Sequence, residues 1–406
     1  MLEKLYKSGF LHLFSGNFIV LILSFIQQFA LAYFLTTSDF GLLKLMMTYI
    51  FIGQFFAVFG LHIALAYFVA KYTKSSSKFY STAILFSFFI SILSFISLYL
   101  LNFFDLILSE QKWLFYWYLV VLFAEPMLII TNTYLQALQK YKSFANIYLS
   151  LRFFMLIFSV LFVCIYGLNG FILAIVLYTI ITILTLYFLM IKKTFNHQKI
   201  SLNYLYIILN YSKYSFFTGL FGYLGLYSDL ILLNYFKISL DKIGHFSFMQ
   251  IFAVGIKQIS STIGQFYLPK LIKSNSENKL LLFDKLQKIN YVTIVVIFVS
   301  SLLIVPYFIE YFFIKYNNEI NLFYLLFIAG LFNALLTPYG IFFQSIGDAK
   351  INFYNSIFVL VVNTTLNFIL IYHYGLYGAA IATLIAFFVG YIYFYLTYKR
   401  IRKELC

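Results

Sequence analysis

Polar and charged residues gather in short clusters along the chain. Between the clusters run apolar stretches of about 20 residues or more, the length a helix needs to cross a bilayer. Twelve stretches stand out: 11–35, 42–70, 79–101, 113–137, 144–166, 170–191, 211–236, 242–268, 288–309, 321–345, 351–373 and 377–398. The second and eighth exceed a perpendicular crossing, so they predict helices that tilt or run past the hydrocarbon.

The polar clusters carry a direction. With the N-terminus in the cytoplasm, the inside segments hold 21 Lys and Arg residues, from Lys4 and Lys7 to Arg402 and Lys403. The outside segments hold four, Lys112, Lys237, Lys242 and Lys315. Basic residues are retained on the cytoplasmic side of membrane proteins, and removing one crossing would break the alternation. Both termini are therefore expected in the cytoplasm. The first apolar run is expected to stay as a helix, because it lacks a convincing small-x-small cleavage site.

The pattern also repeats. Tyr166-Gly167-Leu168-Asn169-Gly170 returns as Tyr374-Gly375-Leu376-Tyr377-Gly378, an offset of 208. At the same offset Gln136 meets Gln344 and Lys142 meets Lys350, while Gly41 and Gly244 pair at an offset of 203. Two halves of six helices follow: residues 1–191, a cytoplasmic linker at 192–210, and residues 211–406. Six is even, so both halves enter from one side. The expected fold is an all-α integral membrane protein with two six-helix lobes, related by a parallel pseudo-two-fold axis along the membrane normal.

Composition strengthens this and narrows the function. Of 406 residues, 63% are hydrophobic and 10% charged, against about 25% charged in a soluble domain. The net charge of +15 sits in loops where orientation accounts for it, so it does not point to nucleic acid. Cys164 and Cys406 are expected on opposite faces and support neither a disulfide nor a metal site. With 53 Phe and 37 Tyr, single aromatics carry little functional weight. The five histidines have no ligand spacing, and no P-loop occurs. No enzyme is expected, and the outer loops are too short to hold a catalytic domain.

Ionisable residues inside spans are the best pointers to function, because lipid does not tolerate them without water or a partner. Five occur: Lys44, Glu125, Arg152, Asp229 and Lys257. Lys44 lies one turn into its span and can snorkel to the interface. Glu125 lies roughly 18 Å from the outer end of its helix and Arg152 roughly 12 Å from the inner end of the next, which puts them at similar depth. They read as an ion pair, or as Arg152 presented to an anionic substrate with Glu125 orienting it. Pro126 predicts a kink beside them. Asp229 and Lys257 differ in depth by roughly 12 Å, too far to pair. Two unpaired charges predict a wet cavity in the C-terminal half, with Asp229 also a candidate coupling-cation ligand or proton carrier. Asn17, Gln27 and Gln28 sit in the first span. Asn363 and Asn367, four apart, share a helix face and serve either a wet interior or helix association. Ala382, Ala386 and Gly390 read as packing.

Three passages carry a resemblance to a known family. They are Ser15-Gly16-Asn17 through Asp39-Phe40-Gly41 to Gly60 and Ala64; Asp229 through Gly244 to Leu268-Pro269-Lys270; and Asn363 to Asn367 with Tyr374-Gly375-Leu376-Tyr377-Gly378-Ala379-Ala380-Ile381-Ala382-Thr383. The chain resembles the polysaccharide exporter branch of the multidrug/oligosaccharidyl-lipid/polysaccharide (MOP) superfamily, and within it the Wzx-type O-antigen and capsule flippases. The resemblance implies two lobes around a central cavity in a bacterial cytoplasmic (inner) membrane. It implies that undecaprenyl-diphosphate-linked oligosaccharide passes from the cytoplasmic to the outer leaflet, driven by an H+ or Na+ gradient and using no cofactor. It also implies that cationic residues, here Arg152 and Lys257, meet the anionic cargo. A glycan polymerase and chain-length proteins are the expected partners besides membrane lipid. A multidrug or small-solute exporter of the same superfamily is the nearest alternative, and a membrane glycan polymerase or ligase a more distant one.

Overall fold

The computed structural model describes residues 10–108, 111–188 and 202–405, and every regular element among them is helical. In chain order these are α1 (Phe10–Phe34), α2 (Thr37–Val58), α3 (Leu61–Lys71), α4 (Ser76–Phe103), α5 (Lys112–Tyr118), α6 (Glu125–Ala137), α7 (Tyr141–Leu186), α8 (Leu202–Tyr235), α9 (Leu240–Lys273), α10 (Ser276–Phe312), α11 (Ile320–Ser345) and α12 (Ala349–Leu405).

Twelve helices do not correspond one to one with twelve crossings. By length and apolar composition, eight helical stretches among the described residues can cross a membrane. Two of these, within α7 and α12, bend back at Gly167 and Gly375 and so supply two crossings each, which makes ten. Helix α1, apolar from residue 18 to 34, and the long but more polar α9 (34 residues) lie where the sequence pattern has its first and eighth crossings, which gives twelve. The chain is a multi-pass membrane protein. One crossing is shared by α2 and α3, with Phe59 and Gly60 at positive φ between them. Another joins α5 and α6 through a 3₁₀ stretch, Leu119–Phe123. Pro126 stands in the first turn of α6, where its missing N–H costs nothing, and the predicted kink is this change of helix type.

The repeat is built into the backbone. Gly167 has φ 58° and ψ −137°, and Gly375 has φ 56° and ψ −126°, a region closed to side chains with a Cβ. Three residues on, a Cβ at Gly170 would lie 1.9 Å from the Phe162 carbonyl oxygen, and one at Gly378 would lie 2.1 Å from that of Leu370. Each hairpin folds back on itself so closely that only glycine fits, and the two hairpins are related by the 208-residue offset.

The chain divides into two compact units, Met1–Leu35 with Met46–Phe217, and Thr36–Leu45 with Thr218–Cys406. In the first unit α1 packs along α7, and α3 along α6. In the second, α11 lies between α9 and α12. There Gly330 of α11 rides on Ala253 of α9, where a Cβ would fall 2.7 Å from backbone atoms. One end of that unit is closed by rings: Phe283 stands 4.6–5.6 Å, centroid to centroid, from Tyr339, Phe342 and Tyr398.

Two boundaries differ from the sequence reading. Residues 202–210, read as linker, are the first turns of α8, and residues 192–201 lie outside the described residues. Helix α10 begins at Ser276, twelve residues before the apolar run at 288. Its polar first turns remain helical because they carry Phe283 and Leu286 into the ring cluster.

Candidate functional site

The first unit has an open-sided cavity of about 630 Å³ bounded by α1, α2, α6 and α7. The depth argument brought Glu125 and Arg152 to one level, and the helices turn them together. An Arg152 guanidinium N–H donates to Glu125 Oε2 at 3.1 Å. The Tyr178 hydroxyl donates to Oε1 at 2.8 Å, so both carboxylate oxygens are engaged. The Tyr148 ring lies 5.4 Å from the guanidinium carbon. Glu125 is 7% exposed, and a carboxylate this buried needs such partners.

Around the pair stand neutral polar groups. Gln27 of α1 donates to Ser159 Oγ at 2.9 Å, which ties α1 to α7. Gln28, Gln54, Asn132 and Gln136 also line the cavity. Asn132 is 7% exposed, and its Oδ1 has no hydrogen-bond donor among the described residues. The side chain of Asn17 lies outside the described residues.

The second unit holds a different arrangement. Asp229 of α8 is fully buried and its carboxylate receives three hydrogen bonds. Asn367 Nδ2 reaches Oδ1 at 2.5 Å, Asn363 Nδ2 reaches Oδ1 at 3.2 Å, and Thr383 Oγ1 reaches Oδ2 at 2.7 Å. Asn363 also donates to the Gly225 carbonyl at 2.8 Å, and Asn367 donates to Asn363 Oδ1 at 2.9 Å. The shared face of Asn363 and Asn367 is thus turned onto α8. The expectation of Asp229 as an unpaired charge beside water is corrected: amides and a hydroxyl satisfy it inside a closed cage. A search for an opposite charge overlooks this solution, because neutral donors can stabilise a buried carboxylate as well.

Lys257 of α9 is the residue without such a partner. It is half-buried, and among the described residues it has neither a hydrogen bond nor an ion pair. Gln258, Ser261, Thr262 and Gln265 extend its face along the helix, each half-exposed or exposed. A stripe of this polarity in a crossing belongs against water. Lys44 is half-buried on α2, with its ammonium 5.1 Å from the Phe40 ring centroid one turn back.

Tyr178, Tyr148 and Thr383 were not singled out from the sequence. Tyrosine is too frequent here for one in a span to stand out, and Thr383 closes the last passage that carries the family resemblance, where no role was given to it. Gln54 and Asn132 carried the same signal as Gln27, an amide inside an apolar run.

Residues 6–274 match the family described as Polysaccharide biosynthesis protein. No curated protein matches the chain by sequence. Solved structures match over nearly its whole length. An inward-facing multidrug resistance MATE family transporter of the MOP superfamily aligns at TM-score 0.72 and 17% identity, over 95% of each chain. The lipid II flippase MurJ, in an inward closed conformation, aligns at 0.74 and 18%, over 95% of this chain and 87% of its own. The MATE transporter VcmN of Vibrio cholerae aligns at 0.68 and 14%, over 99% and 97%. At these identities the likeness is one of fold, and it agrees with the two-lobed helical architecture read from the repeat. With the family match spanning more than half of its 406 residues, the chain belongs to the polysaccharide biosynthesis protein family and has the fold of the MOP superfamily.

Proposed function

We propose that this chain is a flippase carrying undecaprenyl-diphosphate-linked oligosaccharide, an O-antigen or capsule repeat unit, from the cytoplasmic to the outer leaflet. One observation carries the reading. A member of a polysaccharide biosynthesis family is built of membrane-crossing helices and holds a cation, Lys257, on a hydrophilic face within a crossing. Polyprenyl chains are soluble in lipid, whereas diphosphates and sugars are not, so only the head group needs a hydrated path. Lys257 serves the diphosphate, and the amides Gln27 and Gln28 serve the sugars. Transport proceeds by rocking of the two halves about the repeat axis. The MurJ structure, a lipid II flippase of the same fold, supports this class of cargo.

The driving ion is H+ or Na+, taken up at Asp229. A lone carboxylate held by Asn363, Asn367 and Thr383 can be neutralised by either, and its net charge then biases the packing of α8 against α12. The protein acts in a bacterial cytoplasmic membrane with both termini inside, as the bias of basic residues supports. A glycan polymerase and chain-length proteins receive its product.

The test is complementation of a chromosomal deletion. Lys257→Ala is expected to cut surface glycan at least about tenfold at unchanged membrane abundance, and Lys257→Arg to keep most of it, since the cation matters and not the stem. Full surface glycan in Lys257→Ala would remove this lysine from the path.

A further inference from the structure

The cavity of the first unit holds one cation and one anion, and they cancel. Arg152 is bound to Glu125, whose second oxygen is taken by Tyr178, and among the described residues no other Asp, Glu, Lys, Arg or His lines the space. Arg152 gives Glu125 a single N–H bond, so an incoming phosphate or uronate that reached its remaining N–H groups would lie beside the Glu125 carboxylate, whose repulsion offsets the attraction of the guanidinium. Anions are therefore disfavoured here, although an arginine is present.

The remaining polar wall has a different chemistry. Gln28, Gln54, Asn132 and Gln136 each carry donors and an acceptor on one side chain. Sugar hydroxyls also donate and accept, so amides suit them better than lysine or arginine, which only donate. Asn132 Oδ1 is buried in this wall with no donor among the described residues. Half-buried Tyr148 also lines the space, and an aromatic ring is the kind of surface on which sugar C–H groups rest. The volume of about 630 Å³ falls within the 300–1,000 Å³ usual for sites of small molecules.

We propose that this cavity takes an uncharged, hydroxyl-rich ligand, the sugar portion of the cargo, and rejects anions through the Glu125–Arg152 pair. The inference rests on the flippase reading and deepens it, because it says which part of the cargo this cavity takes. It also reverses the sequence-based expectation that Arg152 receives the anionic part.

The test uses the purified full-length protein and two trisaccharides of equal length, neutral maltotriose and acidic trigalacturonate, titrated calorimetrically at two salt concentrations. Wild type is expected to bind maltotriose at least about tenfold more tightly than trigalacturonate, with little effect of salt, because charge takes no part. Glu125→Gln frees the Arg152 charge and should move the ratio about tenfold toward trigalacturonate. Asn132→Ala should weaken maltotriose about fivefold, the value of one hydrogen bond. Trigalacturonate binding as tightly as maltotriose to wild type would overturn the proposal, and so would a ratio that Glu125→Gln leaves in place or no binding of maltotriose at all. The wild-type comparison does not depend on any variant folding, and a melting curve establishes the fold of each variant. Failure of the flippase reading is seen elsewhere, as unchanged surface glycan in the deletion strain.

Discussion

Asp229 is the residue on which the physics of the second unit turns. A carboxylate with no exposure to solvent is costly to ionise, and in this cage three donors offset that cost. Hydrogen bonds to a charged group contribute about 1.5–3 kcal/mol each. Asn367→Ala removes the shortest of the three, so it is expected to lower unfolding stability by about that amount, read as a drop in melting temperature of the purified protein. Unchanged melting would mean that the amide contributes nothing to holding the carboxylate. Surface ion pairs behave differently. Arg402 and Asp284 form a two-pronged bridge at 3.1 and 3.2 Å, but both are more than two-fifths exposed, and such pairs contribute about 0–1 kcal/mol. At this scale the sequence was partly legible. Counting residues from the end of a span gives depth, and depth brought Glu125 level with Arg152. It does not give the rotation of a helix or its neighbours, so the meeting of Asp229 with donors 134 to 154 residues away could not be read.

Close crossings fix the helices. Gly41 of α2 and Gly244 of α9 had been paired through the repeat as equivalent positions, and in the second unit they touch each other. A Cβ on Gly41 would fall 2.0 Å from the Leu240 carbonyl oxygen, and one on Gly244 would fall 1.9 Å from that of Thr37. The Thr37 hydroxyl, beside them, donates to the Asp241 carboxylate. Small residues allow this approach, and in a bilayer such packing replaces the hydrophobic drive that lipid removes. Gly340 of α11 provides the contrast, because a Cβ there would meet Asn352 and Phe394 at 3.6 and 3.7 Å, an ordinary contact. Gly244→Ala is therefore expected to lower the melting temperature and the membrane yield. Gly340→Ala should leave both at or slightly above wild type, since alanine is preferred over glycine inside a helix by about 0.5–1 kcal/mol. Equal behaviour of the two variants would contradict this account of the crossing. The sequence could supply the equivalence of Gly41 and Gly244, because repeats are visible in one dimension. Contact between the two equivalents is a property of three dimensions and was not visible.

For the whole molecule, the apolar pattern and the charge alternation already contained the twelve crossings, and the 208-residue offset contained the two halves. The structure adds that the compact units do not divide where the sequence halves do. The first turns of α2, from Thr36 to Leu45, belong to the second unit, and α8 up to Phe217 belongs to the first. Sequence symmetry could not reveal this, because it marks equivalent helices without saying which body each end packs into. A helix with its ends in two bodies is suited to transmit a movement from one to the other, as the proposed alternation of access requires. The central claim is that this movement carries a lipid-linked glycan across the membrane. Its most direct test is deletion of the gene, with surface polysaccharide and lipid-linked oligosaccharide measured in the same cells. The account predicts that surface polysaccharide is lost while the lipid-linked repeat unit accumulates in the inner leaflet. Unchanged surface polysaccharide with no accumulated intermediate, accompanied by new sensitivity to drugs, would contradict it and point to a small-solute exporter.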